Sequence, residues 1–303
     1  MESILTVFTP TFNRAYVLRN LYESLLAQTC SSFSWLIVDD GSSDGTKALV
    51  DDWISEGLID VRYVAQPNMG MVAAHNTAIC NITTELFVCI DSDDRMPDTA
   101  VETILAVWDA MDSSDLMGIV GLDIYESGEV IGDLFPKSVA TATFSELKYK
   151  YKVKGDKKYV LKTKLAKEVL PYPYVESEKF PAPSYIYLKL EDKYKFYLLN
   201  HPLCIVEYLP DGNSMNKVAQ YRASPNAFAL YRIAQIQHGY GLADKFKNTV
   251  HYICAKLIGR RAGIYQCAPN KLMFLLALPF GLMLYIYISR TSRKTLSLRL
   301  NRK

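Results

Sequence analysis

Four short apolar runs between Ser3 and Ile90 each break off into a polar loop, with helical stretches between them. Ser3–Phe8 stops at Thr9-Pro10-Thr11, and Trp35–Val38 ends in Asp39-Asp40-Gly41. Val61–Ala65 gives way to Gln66-Pro67-Asn68, and Leu86–Ile90 runs into Asp91-Ser92-Asp93-Asp94. After the first run, Leu18, Leu21, Tyr22, Leu25 and Leu26 recur with the spacing of one helix face. Ser43 or Asp44 can cap a second helix. A third helix is predicted from about Gly70. Pro97 suits the first turn of a fourth, reaching about Asp112. Strands alternating with helices imply parallel βαβ units. In such open sheets a ligand binds beyond the carboxyl ends of the strands. The loops at Thr9–Arg14, Asp39–Asp40, Asn68 and Asp91–Asp94 are therefore expected to converge on one rim.

Three of the four residues Asp91–Asp94 are carboxylates, and they follow an apolar strand directly. Like charges packed so closely repel, and a cation between them relieves the repulsion. A hard divalent ion such as Mg²⁺ or Mn²⁺ suits an all-oxygen site and commonly brings phosphate with it. An isolated Asp-x-Asp is more often an ordinary polar turn. The convergence of four loops weighs against that reading here.

Beyond the fourth helix the pattern is less regular. Met117–Tyr125 reads as a strand. Lys148–Lys154 alternates lysine with apolar residues, which fits an edge strand guarded by charge or a basic wall facing a phosphate-bearing acceptor. Glu176-Ser177-Glu178-Lys179-Phe180 forms a second acidic cluster. A helix follows from about Pro183, then a short strand within Leu198–Tyr208, closed by Pro210-Asp211-Gly212-Asn213. The expected division is a body of residues 1–216 and a basic helical region of residues 217–303.

Charge supports that division. Residues 217–303 hold fifteen Lys or Arg and one acid, Asp244, whereas residues 1–216 hold nineteen bases against thirty-one acids. A chain with net −12 in its body and +14 in its tail should turn the tail toward an anionic surface. Leu272–Ile288 is an uncharged run of seventeen residues, interrupted by Pro279 and Gly281 and followed by six bases. A helical hairpin or interfacial helix dipping into a leaflet is the preferred reading; a single span or a buried core helix are the alternatives. The six cysteines form no Cys-x-x-Cys pair, which argues for small core residues in a reducing compartment. Met1-Glu2-Ser3-Ile4 carries an acid and enters a strand pattern at once, unlike a secretion signal.

Taken in order, Val7-Phe8-Thr9-Pro10-Thr11-Phe12-Asn13-Arg14, Leu26-Ala27-Gln28-Thr29, Ile37-Val38-Asp39-Asp40-Gly41-Ser42-Ser43-Asp44-Gly45-Thr46, Asn68-Met69-Gly70 with Asn76, and Asp91-Ser92-Asp93-Asp94 resemble the opening of family 2 glycosyltransferases. Gly155-Asp156-Lys157 and Glu176–Phe180 resemble the branch that builds capsular and cell-wall polysaccharides. The resemblance implies an α/β GT-A fold: a mixed, mainly parallel Rossmann-like sheet flanked by helices. It implies transfer of a sugar from a nucleotide diphosphate, a UDP-sugar foremost, to an acceptor hydroxyl with inversion and with Mg²⁺ or Mn²⁺. The donor nucleotide would lie against Thr9, Pro10 and Thr11, with Asn13, Arg14, Asn68, Gly70 and Asn76 around it. Asp40 would accept from the nucleobase with Asp39 beside it, and Asp91 would face the ribose or donor sugar. Asp93, with Asp91 and Asp94 close by, would hold the metal. Glu178 is the implied catalytic base and Glu176 its reserve, although this chain reads Glu178-Lys179 where the family commonly has Glu-Asp.

A glycan acceptor carried on a polyprenyl phosphate, at the cytoplasmic face of the plasma membrane, would explain why such an enzyme needs a membrane-seeking basic tail. Nucleic acid is not an expected partner. Two rival classes are an inactive sugar-nucleotide-binding scaffold and a nucleotidyltransferase. The retained Asp91 and Asp93 count against the first. The second would normally show a Gly-rich, Lys-containing phosphate loop after the first strand.

Overall fold

The computed structural model describes residues 3–173, 175, 178, 184–207, 221–260 and 262–300, with backbone alone over 291–300. The chain divides into two compact units, Met1–Tyr172 with Lys189–Gly212, and Pro173–Leu188 with Asn213–Lys303. Of the expected features, Glu176, the turn at 210–213 and the boundary at 216 lie outside the described residues.

The first unit is built on an eight-stranded sheet. Its strands are β1 (Leu5–Thr11), β2 (Phe33–Asp39), β3 (Asp60–Ala65), β4 (Leu86–Cys89), β5 (Leu116–Ile124), β6 (Thr141–Ala142), β7 (Lys157–Lys162) and β8 (Lys195–Ile205). Their spatial order is β3-β2-β1-β4-β7-β5-β8-β6. The pairs β1–β2, β2–β3, β1–β4 and β5–β8 are parallel, and β7 runs antiparallel to both neighbours, β4 and β5. Every residue of β1, β2 and β5 is buried, as expected of strands covered on both faces.

Four helices, α1 (Ala15–Leu26), α2 (Thr46–Glu56), α3 (Met71–Asn81) and α4 (Ala100–Asp109), link the parallel strands, and α5 (Thr163–Val169) follows β7. Helix α1 turns Val17, Leu18, Leu21, Tyr22 and Leu25 inward. Tyr22 stacks on Trp53 at 4.3 Å between ring centroids, and Trp35 lies 5.5 Å from Trp53. Burying rings of that size supplies much of this unit's core.

The segment Lys148–Lys154 is not an edge strand. Glu146–Lys150 forms one π-helical turn instead, closed by the Tyr151 amide on the Glu146 carbonyl. Leu147 is its buried anchor. The ammonium groups of Lys148 and Lys150 lie over the rings of Tyr149 and Tyr151, at 5.1 and 4.9 Å. Lysine and tyrosine thus cover one another as sequence neighbours rather than dividing between two faces of a strand.

The second unit contains α7 (Pro225–His238), α8 (Gly241–Ile258) and α9 (Lys271–Leu300). A short helix, α6 (Ser184–Leu190), straddles the division between the units. Tyr221, Phe228, Ile236, Tyr252, Ile253, Phe274, Ala277 and Ile288 share one core. Helix α9 continues through Pro279, which corrects the expected hairpin. Phe274 and Ala277 before the proline, and Ile288 after it, are buried in that shared core and hold both halves to one course. A Cβ on Gly281 would come within 2.7 Å of the Ile253 Cβ, so glycine there permits close approach of α8 and α9. Lys271–Arg290 is long and apolar enough to cross a membrane. Leu272, Leu275, Leu276, Phe280, Met283 and Tyr287 on it are exposed.

Candidate active site

Strand order places β2 on one side of β1 and β4 on the other, so the sheet has a switch point between β1 and β4. Ligands of open α/β sheets bind outside the carboxyl ends of the strands at such a point. The loops that follow β1 and β2 are tied together there by side chains of their own polar residues, and the acidic turn follows β4 at the same edge of the sheet.

Asn13 sits in the left-handed region, at φ 53°, and its backbone amide donates to the Ser42 hydroxyl at 2.8 Å. Its Oδ1 accepts from the Ser43 amide at 2.8 Å. Asp44 serves two helices. One carboxylate oxygen accepts from the Ala15 amide at the start of α1, the other from the Thr46 amide and hydroxyl at the start of α2. Its burial is slight and is outweighed by these bonds, which hold the carboxyl below its ordinary pKa.

Asp39 and Asp40 are both buried. Asp39 accepts from the Ser42 amide at 2.8 Å and from the Tyr63 hydroxyl at 2.5 Å. Asp40 accepts from Gln66 Nε2, the Met69 amide and the Gly70 amide, all within 2.8 Å. The visible work of this pair is to fasten the loops after β2 and β3. Gly41 lies between them at φ 85°, and a Cβ there would stand 2.9 Å from the Asn68 amide nitrogen.

Two expected donor contacts point elsewhere. The Thr9 hydroxyl accepts from Trp35 Nε1 within the core. Asn76 bonds both to the Tyr172 amide and to its carbonyl, and so clamps the chain after α5. By contrast Thr11 Oγ1 at the end of β1 is buried with no hydrogen-bond partner. The Arg14 guanidinium donates to the Tyr16 hydroxyl at 2.6 Å.

The acidic turn follows β4. It is closed by the Asp94 amide on the Asp91 carbonyl at 3.0 Å. Asp91 and Asp93 are half-buried, whereas Asp94 is 5 % exposed. Asp94 turns inward: Oδ2 lies 3.5 Å from Lys158 Nζ and accepts from the Cys204 thiol, and Oδ1 accepts from the Glu207 amide. Burial pushes its carboxyl up to about 6, with Lys158 opposing and Asp91 and Asp93 adding to the rise. Asp123, at the end of β5, is likewise pushed up to about 6 by burial. Burial opposes the Lys158 charge, but the Cys204 sulfur and the Asp123, Asp94 and Asp91 carboxylates outweigh it and hold the ammonium well above its ordinary pKa. His75, beneath the turn, is held neutral by burial despite Asp91, its pKa pushed down to about 4.

The acids Asp91 and Asp93 fit a divalent ion shared with phosphate. Mg²⁺ is commonly held by one or two carboxylates plus substrate phosphates rather than by a protein cage. Among the described residues no group of three His, Cys, Asp or Glu side chains forms such a cage. The mutual repulsion of Asp91, Asp93 and Asp94 is what a cation there would relieve.

Glu178 lies in the second unit. Its Oε1 accepts from Asn226 Nδ2 and its Oε2 from the Ala227 amide, each at 2.6 Å, which caps the first turn of α7. The residues that sequence reasoning missed are Lys158, Asp123 and Cys204. The one signal for Lys158 and Asp123 is a charge inside a strand, as in Gly-Leu-Asp123-Ile and Lys-Lys158-Tyr-Val, and Cys204 reads as an ordinary core residue.

The family model for glycosyl transferase family 2 matches residues 6–160, just over half of the chain, and the chain belongs to that family. It is similar to the glycosyltransferase GlyA of Streptococcus pneumoniae serotype 4, with 32% identity over 104 residues, 34% of this chain and 15% of that protein. It is also similar to the teichoic acid poly(glycerol phosphate) polymerase of Staphylococcus epidermidis, with 30% identity over 98 residues, 32% of this chain and 14% of the other. The chain therefore spans a small part of the length of these relatives. Among solved structures, S. aureus TarS 1-349 shares the fold with a TM-score of 0.62 at 17% identity, over 97% of this chain and 92% of the other. A mannosyltransferase from Pyrobaculum calidifontis, in complex with GDP-Man and Mn2+, gives 0.55 at 15% identity, over 99% and 81%. The fold is thus the mixed, mainly parallel GT-A sheet that the resemblance implies.

Proposed function

We propose that this chain transfers a sugar, with inversion, from a nucleotide diphosphate to a hydroxyl of a lipid-linked glycan at the cytoplasmic face of the membrane, in assembly of a surface polymer. The observation that carries this reading is the acidic turn at the β1/β4 switch point, with Asp91 and Asp93 presented and Asp94 drawn inward. The nucleoside would lie against the end of β1, where Thr11 Oγ1 lacks a partner, and against the loop that Asp39 and Asp40 fasten. Asp91 and Asp93 would hold Mg²⁺ or Mn²⁺, which when bound neutralises charge that develops on the departing diphosphate. Asn13 and Arg14 would face the donor from the start of α1. Glu178, or Glu176, is proposed to take the acceptor proton. The teichoic acid polymerase among the relatives, and a TarS structure in complex with UDP-GlcNAc, support a UDP-sugar donor and a cell-surface product.

Thermal melting with UDP-GlcNAc and GDP-Man, each with and without Mn²⁺, tests this. A ligand at a hundredfold excess over its Kd stabilises the folded state by about 2.7 kcal/mol. We expect one nucleotide sugar to raise Tm in the presence of Mn²⁺, and Asp93→Ala to abolish the rise. Stabilisation without turnover of the labelled sugar would identify the scaffold reading instead. No response to either nucleotide sugar with Mn²⁺ would count against the proposal.

A further inference from the structure

We infer that Lys158 is a positioning residue: its buried ammonium draws Asp94 inward and so sets the stance of Asp91 and Asp93. The inference rests on the metal role proposed for those two acids. Strand β7 runs antiparallel between β4 and β5, so its start lies at the rim where β4 ends. Val88 pairs with Val160, and Lys158, two residues earlier in β7, stands alongside the segment that leaves β4. The side chains of Lys158 and Asp94 are 12 % and 7 % exposed.

Both ends of the acidic turn are fixed. At its start, the Ile90 amide bonds to the Phe8 carbonyl at 2.9 Å. At its end, Arg95 and Ile205 exchange two backbone hydrogen bonds, and the Glu207 amide and Cys204 thiol both reach Asp94. Asp91–Asp93 is thus a short bridge between two anchors, and Lys158 is the cation at the second anchor. Asp123 Oδ1 is buried there with no hydrogen-bond partner, so Lys158 also faces a second carboxylate by charge alone. With a neutral residue at 158, two buried carboxylates would lose their strongest counter-charge, and Asp94 would leave its inward position and release the far end of the turn that holds Asp91 and Asp93. Outer groups that orient ligands in this way commonly alter metal affinity about 10- to 100-fold when removed.

Mn²⁺ uptake by the full chain, followed by electron paramagnetic resonance with UDP present, tests this against melting curves without metal. Lys158→Met, Asp94→Asn and the double variant are compared with wild type and Asp93→Asn. We expect Mn²⁺ affinity to fall at least about tenfold in each folded variant, and the double variant to melt closer to wild type than Lys158→Met does. Wild-type affinity in the folded double variant, or in Asp94→Asn, would overturn the inference and leave Lys158 a charge-balancing residue. Tighter Mn²⁺ binding in Lys158→Met would overturn it too, since Asp94 would then be a ligand that Lys158 restrains. Wild type without Mn²⁺ uptake, or Asp93→Asn with unchanged uptake, would instead refute the underlying metal site and the inference with it.

Discussion

Glu191 occupies a place where a carboxylate is costly. Burial pushes it up to about 7 from an ordinary 4.5, although the Ser145 amide and hydroxyl both donate to it. Its folded pKa lies above the unfolded one, so its favourable linkage is complete below about pH 4.5 and is lost as pH rises through about 7. Glu191→Gln cannot titrate. The variant's Tm should therefore gain on that of wild type as pH rises from 5 to 7, and a difference that shrinks over that range would contradict the assignment. At the rim, Asp93→Ala should leave far-ultraviolet circular dichroism unchanged while sugar transfer is lost. The rim acids were legible because three carboxylates after an apolar strand stand out against their neighbours. Lys158 and Asp123 were not, because their partners belong to strands distant in sequence, and a lone charge within a strand looks like solvent-facing alternation.

Between residue and whole lie the loops and helix ends. Gly41 needs φ 85° and closely approaches the Asn68 amide, so Gly41→Ala combines a left-handed cost of roughly 1–2 kcal/mol with a backbone clash. Lower Tm and weaker nucleotide binding should appear together, because the displaced loop carries Asn68 and Gly70. Glu178→Gln separates two roles for that side chain. As the cap of α7, Glu178 should yield a Tm drop worth about 1 kcal/mol with kcat retained. As the proton acceptor, it should lose about 10²–10⁴-fold in kcat with donor binding intact. The strands β1 to β4 and helices α1 to α4 were readable from period and punctuation, since each apolar run and each helix face is marked within its own short segment. The antiparallel β7, inserted between β4 and β5, was not readable. Nor was the π-helical turn at Glu146–Lys150, where lysine–tyrosine pairs mimic a strand. The continuity of α9 through Pro279 depends on Phe274, Ala277 and Ile288 packing with residues of other helices, which no local rule contains.

At the scale of the whole molecule, residues 217–303 hold fifteen Lys or Arg against one acid, and α9 leaves Leu272, Leu275, Leu276, Phe280, Met283 and Tyr287 exposed. Each Lys or Arg near an anionic leaflet contributes about 1 kcal/mol. We expect cosedimentation with phosphatidylglycerol vesicles, release by high salt, and loss of binding in Leu275→Glu with Met283→Glu. Release by detergent alone would favour a span. Deleting α9 is the poorer test, because Phe274 and Ala277 are part of the second unit's core. The pairing of Arg95 with Ile205 has a consequence for biosynthesis. A nascent chain halted near residue 165 already carries the acidic turn and β7, yet the strand that locks the turn's far end has not been made. The site proposed at this turn would therefore be complete only after synthesis has passed Glu207.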